Sequence, residues 1–149
     1  MLIEVKVKVA WIIDSKIKKK QETFVLDKEF FAEAEYKVSE LLTGYKDEGT
    51  IDNFEIISLR QSGVKEIVTQ YQGEGTFIAS LRDTFLQEDG TEKILKYKVL
   101  LWANDITEAM GHTRELAQQG YDMQIDSLKE VNYTYLNQED NGSIQVSED

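Results

Sequence analysis

A chain of 149 residues with 41% hydrophobic and 10% aromatic content has the material for a packed core. Folding at this length removes roughly 68–70% of the unfolded surface. Cysteine is absent, which excludes disulfides and thiolate metal sites, and the net charge of −11 opposes non-specific duplex DNA binding, where affinity comes mainly from Lys and Arg.

The first segment, Leu2 to Ile13, places Ile3, Val5, Val7, Val9, Trp11 and Ile13 on one face and Glu4, Lys6 and Lys8 on the other. Period two with β-branched residues predicts a half-buried strand. The same alternation leaves no continuous apolar run, so the segment is neither a signal peptide nor a membrane span, and a cytoplasmic location without membrane contact is expected. Proline is absent, so Gly, Asn, Asp and Ser must make the turns.

Asp14-Ser15 is the first turn, and a second strand returns from Ile17 to Leu26 behind the basic run Lys16, Lys18, Lys19 and Lys20. Asp27 is placed to cap a helix reaching about Thr43, with Phe30, Ala34, Val38 and Leu41 as its apolar stripe and Gly44 past its end. Ile51 to Leu59 is a third strand. The connector 61–74 fits either a helix or a strand, and the reading favoured is a strand forming a hairpin with the third one across Ser62-Gly63.

The pattern then starts again. Phe77, Ala79, Leu81 and Phe85 repeat the apolar face of the first strand, and Asp89-Gly90 makes the hairpin turn. The returning strand, Ile94 to Trp102, points Leu95, Tyr97, Val99 and Leu101 inward. Asn104 or Asp105 caps a second helix, Asp105 with Glu108 forming a capping-box pattern. Its core face is Ile106, Ala109, Met110, Thr113, Leu116 and Ala117, and Gly120 ends it. A last strand runs from Ile125 to about Tyr135. Glu33-Ala34 and Glu40-Leu41 recur as Glu108-Ala109 and Glu115-Leu116, and Ile51-Asp52 recurs as Ile125-Asp126. The chain is written twice.

The expected fold is α+β: two tandem β-β-α-β repeats forming a mostly antiparallel sheet, with two helices on one face. Residues 1–136 read as one pseudo-symmetric domain, with repeats at 1–60 and 75–136, and 137–149 as an acidic flexible tail. The features Val5-Lys6-Val7-Lys8 with Trp11, and the pairs Glu33-Ala34 and Glu108-Ala109, resemble an uncharacterised family of short bacterial and bacteriophage proteins, a domain of unknown function. The resemblance extends to about Leu136. It implies the tandem architecture and a phage or mobile-element setting, and it supplies no catalytic residues.

Little points to catalysis. Gly73-Glu-Gly75 lacks the context of a phosphate loop, and His112 is the only histidine, read as a surface residue. Paired carboxylates such as Asp52/Glu55 arise by chance among 28 acidic residues. The expectation is a non-enzyme with no cofactor and no metal. Its most informative feature is charge placement. Lys6, Lys8, Lys18, Lys20, Arg82, Lys96 and Lys98 fall on outward strand positions, Tyr133 and Tyr135 alternate on the last strand, and Glu29, Glu33, Glu35, Glu40, Glu108 and Glu115 cluster around the helices. The leading reading is an accessory protein that binds an unidentified protein partner as inhibitor or regulator, its acidic helices and tail acting as the handle. The alternative is a single-stranded nucleic-acid binder using a basic open sheet face formed by those seven cations and two tyrosines. A third reading is a protein sequestering a small ligand or nucleotide between the halves. Lysines that merely keep exposed strands soluble fit the same pattern. A homodimer through an open edge or face is compatible with all of these.

Overall fold

In the computed structural model, which describes residues 1–119 and 123–137, the alternating segments become strands and the 3.6-period segments become helices. In chain order the elements are β1 (Leu2–Ile13), β2 (Lys16–Asp27), α1 (Phe31–Asp47), β3 (Ile51–Gln61), β4 (Val64–Ile67), β5 (Gly75–Leu86), β6 (Glu92–Ala103), α2 (Ile106–Gln119), β7 (Gln124–Val131) and β8 (Tyr133–Leu136). The class is α+β and the β-β-α-β unit occurs twice. The strands, however, divide between two four-stranded sheets, β3-β1-β2-β8 and β7-β5-β6-β4, in place of the single sheet expected.

Each sheet takes its fourth strand from outside its own repeat. The connector does contain a strand, but β4 forms no hairpin with β3. It pairs parallel to β6, the returning strand of the second repeat. The last strand likewise breaks at Asn132: β7 pairs with β5, and β8 pairs parallel to β2 of the first repeat. The chain accordingly forms two compact units, Met1–Ser62 with the segment from Asn132, and Gly63–Val131. Apolar anchors drive the exchange. Leu136 of β8 is buried in the first core, and Val68, just past β4, is buried in the second.

In the first unit α1 covers Ile3, Val5, Val7 and Val9 of β1 and Phe24 and Leu26 of β2, using Ala34, Val38, Leu41, Leu42 and Tyr45. Fully burying each of these larger side chains contributes about 1.5–3 kcal/mol. In the second unit α2 presents the smaller Ala109, Thr113 and Ala117 to Phe77, Ala79, Leu81, Val99 and Leu101. Phe30 and Ile106, assigned to the core by spacing, are exposed at the helix starts.

Local signals resolve as follows. Asp27 does not cap α1, because its carboxylate takes the N-terminal amine at 3.0 Å. The helix starts later, and Glu33 reaches back to the Phe30 amide at 3.2 Å. Gly44 lies inside the helix, and the left-handed residue beyond its end is Gly49, with φ +80°. For α2 the capping expectation holds: the Glu108 amide donates to the Asp105 carboxylate at 2.8 Å. Gly120, expected to end that helix, and the tail beyond Asn137 lie outside the described residues. The repeated Ile-Asp pair has a structural meaning. Asp52 and Asp126 are each the extra residue of a β-bulge, standing between Ile51 and Asn53 in β3 and between Ile125 and Ser127 in β7.

One charged side chain conflicts with its position. Glu22 pairs with Val7 and shares the α1-facing side of β2 with Phe24, and burial raises its carboxyl above the usual glutamate range, with Lys20 partly offsetting the rise. A raised folded-state value means the stability contribution is present at acid pH and lost as pH rises through that value. Glu22→Gln should therefore raise the melting temperature at neutral pH. The gain should vanish below the ordinary glutamate range, as thermal melts across pH 3–8 would show.

Candidate binding surfaces

Because a two-residue turn joins β1 to β2, cross-strand partners are fixed: Ile13 faces Lys16, Trp11 faces Lys18 and Val9 faces Lys20. Directly paired residues share a face, so Lys18 and Lys20 lie on the α1 side of the sheet and not on its open face. The helix-free face of the first unit carries Lys6, Lys8 and Lys19 instead, together with Tyr133 and Tyr135 of β8, which pair with the buried Thr23 and Val25. Arg82, Lys96 and Lys98 lie on the helix-free face of the other sheet, Arg82 opposite Lys96 and Ser80 opposite Lys98. Arg82 is bound to Gln124 and, at 3.3 Å, to Asp126. The nine candidate residues are thus split between two sheets and, in the first, between two faces.

Sequence reasoning missed a buried residue on this helix-free face. Glu4 is buried, and its carboxylate accepts hydrogen bonds from Arg60 at 2.9 Å, from the Ser62 hydroxyl at 2.7 Å and from the Tyr133 hydroxyl at 3.5 Å. To reach it from β8, Tyr133 spans β2. Burial, then the Glu4 carboxylate, raise the Tyr133 hydroxyl above the ordinary tyrosine range, while the Glu4 hydrogen bond holds Arg60 even more firmly protonated. Toward the other end of this face a shallow recess of about 110 Å³ is lined by Lys8, Ala10, Lys19, Asn53, Phe54 and Glu55. The signal for Glu4 was weak: a charged residue at an outward strand position normally meets water.

His112 is not simply exposed. Tyr71, from the segment between β4 and β5, stacks on it with ring centroids 4.0 Å apart and planes 4° from parallel, and donates to Glu115 at 2.8 Å. Burial and that bond raise the Tyr71 hydroxyl. The arrangement straps the segment to α2 and leaves the buried His112 Nδ1 without a hydrogen bond.

The outer surface of α1 is different in kind. Phe30, Phe31 and Tyr36 are exposed, Tyr36 by 68%, beside the exposed Glu29, Glu33, Glu35 and Glu40. A recess of about 350 Å³ there is lined by Lys28, Ala32, Glu33, Tyr36 and Lys37. At the equivalent places of α2 stand Ile106 and Gly111.

Residues 1–137 match the family model described as Domain of unknown function (DUF4494). The chain belongs to this family. The matched span ends one residue past β8, so both repeats and both exchanged strands lie within the family's extent. No curated protein matches the chain. Among the described residues, no helix is long and apolar enough to cross a membrane.

Replacing Glu4 with Ala removes the acceptor that Arg60, the buried Ser62 hydroxyl and the Tyr133 hydroxyl share. The expected cost is about 2–3 kcal/mol. Amide exchange should accelerate first at Tyr133–Leu136, and a loss spread evenly over both sheets would contradict the role given to Glu4.

Proposed function

We propose that this protein is a non-catalytic accessory protein that regulates or inhibits a protein partner, which it engages through the outer surface of α1. The observation that carries this reading is the exposed Tyr36 at a position where the second repeat has glycine. Whatever the shared fold needs from a helix should appear in both copies, and an exposed aromatic ring in one copy alone is not a fold requirement. Tyr is among the residues that dominate interface energetics, because its large rigid area is fixed at small entropic cost. The neighbouring glutamates suit a partner with a basic surface and would speed encounter more than they tighten it. A bacterial or bacteriophage setting, implied by the resemblance of the sequence, fits such a role.

A second reading, single-stranded nucleic-acid binding, is favoured by one observation: Lys6, Lys8 and Lys19 share a sheet face with Tyr133 and Tyr135. The tie of Tyr133 to Glu4 weakens it, because that hydroxyl already has a structural task.

The two separate in one set of measurements. Affinity capture from source cells followed by mass spectrometry should yield partners that Tyr36→Ala loses, with binding weakened about thirtyfold and the melting temperature unchanged. Retention of the same partners by Tyr36→Ala would sink the α1 assignment. Salt-sensitive binding of a labelled single-stranded oligonucleotide, abolished by Lys6→Glu with Lys8→Glu, would favour the second reading.

A further inference from the structure

Neither β8 nor β7 runs the full length of its neighbour, and among the described residues this leaves one edge uncovered in each sheet. β8 pairs with β2 only from Thr23 to Leu26, so among the described residues the outer edge of β2 is unpaired from Lys16 to Glu22. β7 pairs with β5 only as far as Arg82, so among the described residues the outer edge of β5 is unpaired from Asp83 to Leu86. Each open edge presents a row of unpaired N–H and C=O groups, the ordinary template for adding a strand.

The side chains along these two edges are complementary. The β1–β2 ribbon, Trp11 to Gln21, carries four lysines against one aspartate, in a chain whose net charge is −11. The β5–β6 ribbon, Asp83 to Lys96, carries four carboxylates, Asp83, Glu88, Asp89 and Glu92, against two lysines. Both also expose apolar side chains. Ile12, Ile13 and Ile17 (56%) are uncovered on the first, and Phe85, Leu86 (79%), Ile94 and Leu95 on the second. The pairing registers put apolar residues on both faces of each ribbon. A two-stranded ribbon apolar on both faces is marginal by itself in water. The tip of the first is further strained by consecutive left-handed residues that are not glycine, Asp14 at φ 51° and Ser15 at φ 64°.

We infer that the partner of these edges is a second copy of this chain, the basic edge of β2 in one copy pairing as a strand with the acidic, apolar edge of β5 in another. Backbone groups supply the attraction common to any edge. The lysines of 16–20 facing Asp83 and the turn carboxylates select this pairing over β2 with β2 or β5 with β5, each of which sets like charges together. Neither edge is in the α1 surface proposed above, so this inference stands or falls independently of the partner assigned to α1.

The full chain, measured by light scattering after size exclusion, should associate with rising concentration, and more strongly at low salt than at high. Lys18→Glu with Lys20→Glu, and separately Asp83→Lys with Glu88→Lys, should each weaken self-association by at least about tenfold. Mixing the two variants should restore a complex between them, because the reversed charges again oppose. That restoration also shows that both variants are folded. A wild-type chain that stays monomeric at every concentration overturns the inference, as do charge-reversed chains that associate like wild type. Monomeric chains that bind a labelled oligonucleotide through Lys18 and Lys20 would overturn it too, by assigning the β2 edge to nucleic acid.

Discussion

The carboxylate of Glu4 sits where the chain leaves the first unit and where it comes back. Ser62, the last residue before departure, donates to it through its hydroxyl while its amide donates to the Leu2 carbonyl at 2.8 Å. Tyr133, the second residue after the return at Asn132, reaches it across β2. A buried charge is tolerable only when its hydrogen-bonding capacity is met, and here three donors from two segments, the end of β3 and β8, meet it. The same demand ties the end of β3 and β8 to β1, because loss of any one donor leaves part of that capacity unmet. The second unit closes by other means. Ile78 stands at the place equivalent to Glu4, the Thr76 hydroxyl donates to the Val131 carbonyl at 2.6 Å, and Gly73 lies so close to the Ala103 backbone that a Cβ would meet it at 2.2 Å.

Duplication supplies an internal comparison that a single-copy fold lacks. Features present in both copies serve the fold: the apolar faces of β1 and β5, the bulged Asp52 and Asp126, the Glu-Ala pair early in each helix. Features present in one copy need another account. Of the two helices as described, α1 alone exposes aromatic rings; the lysine-rich edge belongs to β2 and the acidic turn to the β5–β6 ribbon. These asymmetries sit on ribbons, edges and an outer helix face. Such surfaces suit contact with a macromolecule, since large side chains and unpaired backbone find partners only on another extended surface.

The short exchanged strands link architecture to these surfaces. Four residues are enough to carry Leu136 into one core and to lead Val68 into the other, yet they cover less than half of the strands they join. Anchoring each sheet with a short strand from outside its own repeat therefore leaves the far ends of β2 and β6 as ribbon. A longer β8 would bury the lysines of 16–20 against a neighbour, and the basic edge would not exist.

Much of this was legible in the chain itself. Period two and period 3.6 assign strands and helices because burial on one face demands it, and the repeated Glu-Ala and Ile-Asp pairs announce the duplication. Even the misplacement of Lys18 and Lys20 was avoidable, since they share parity with the inward Phe24 and Leu26, and alternation cannot change face within an unbroken strand. What the sequence left open is which edge each short strand joins. Val64–Ile67 and Tyr133–Leu136 alternate equally well beside any strand, because backbone hydrogen bonds are the same along every edge. Only the tertiary structure decides between them, through the apolar positions left for Val68 and Leu136 and the buried carboxylate that needed Tyr133 within reach.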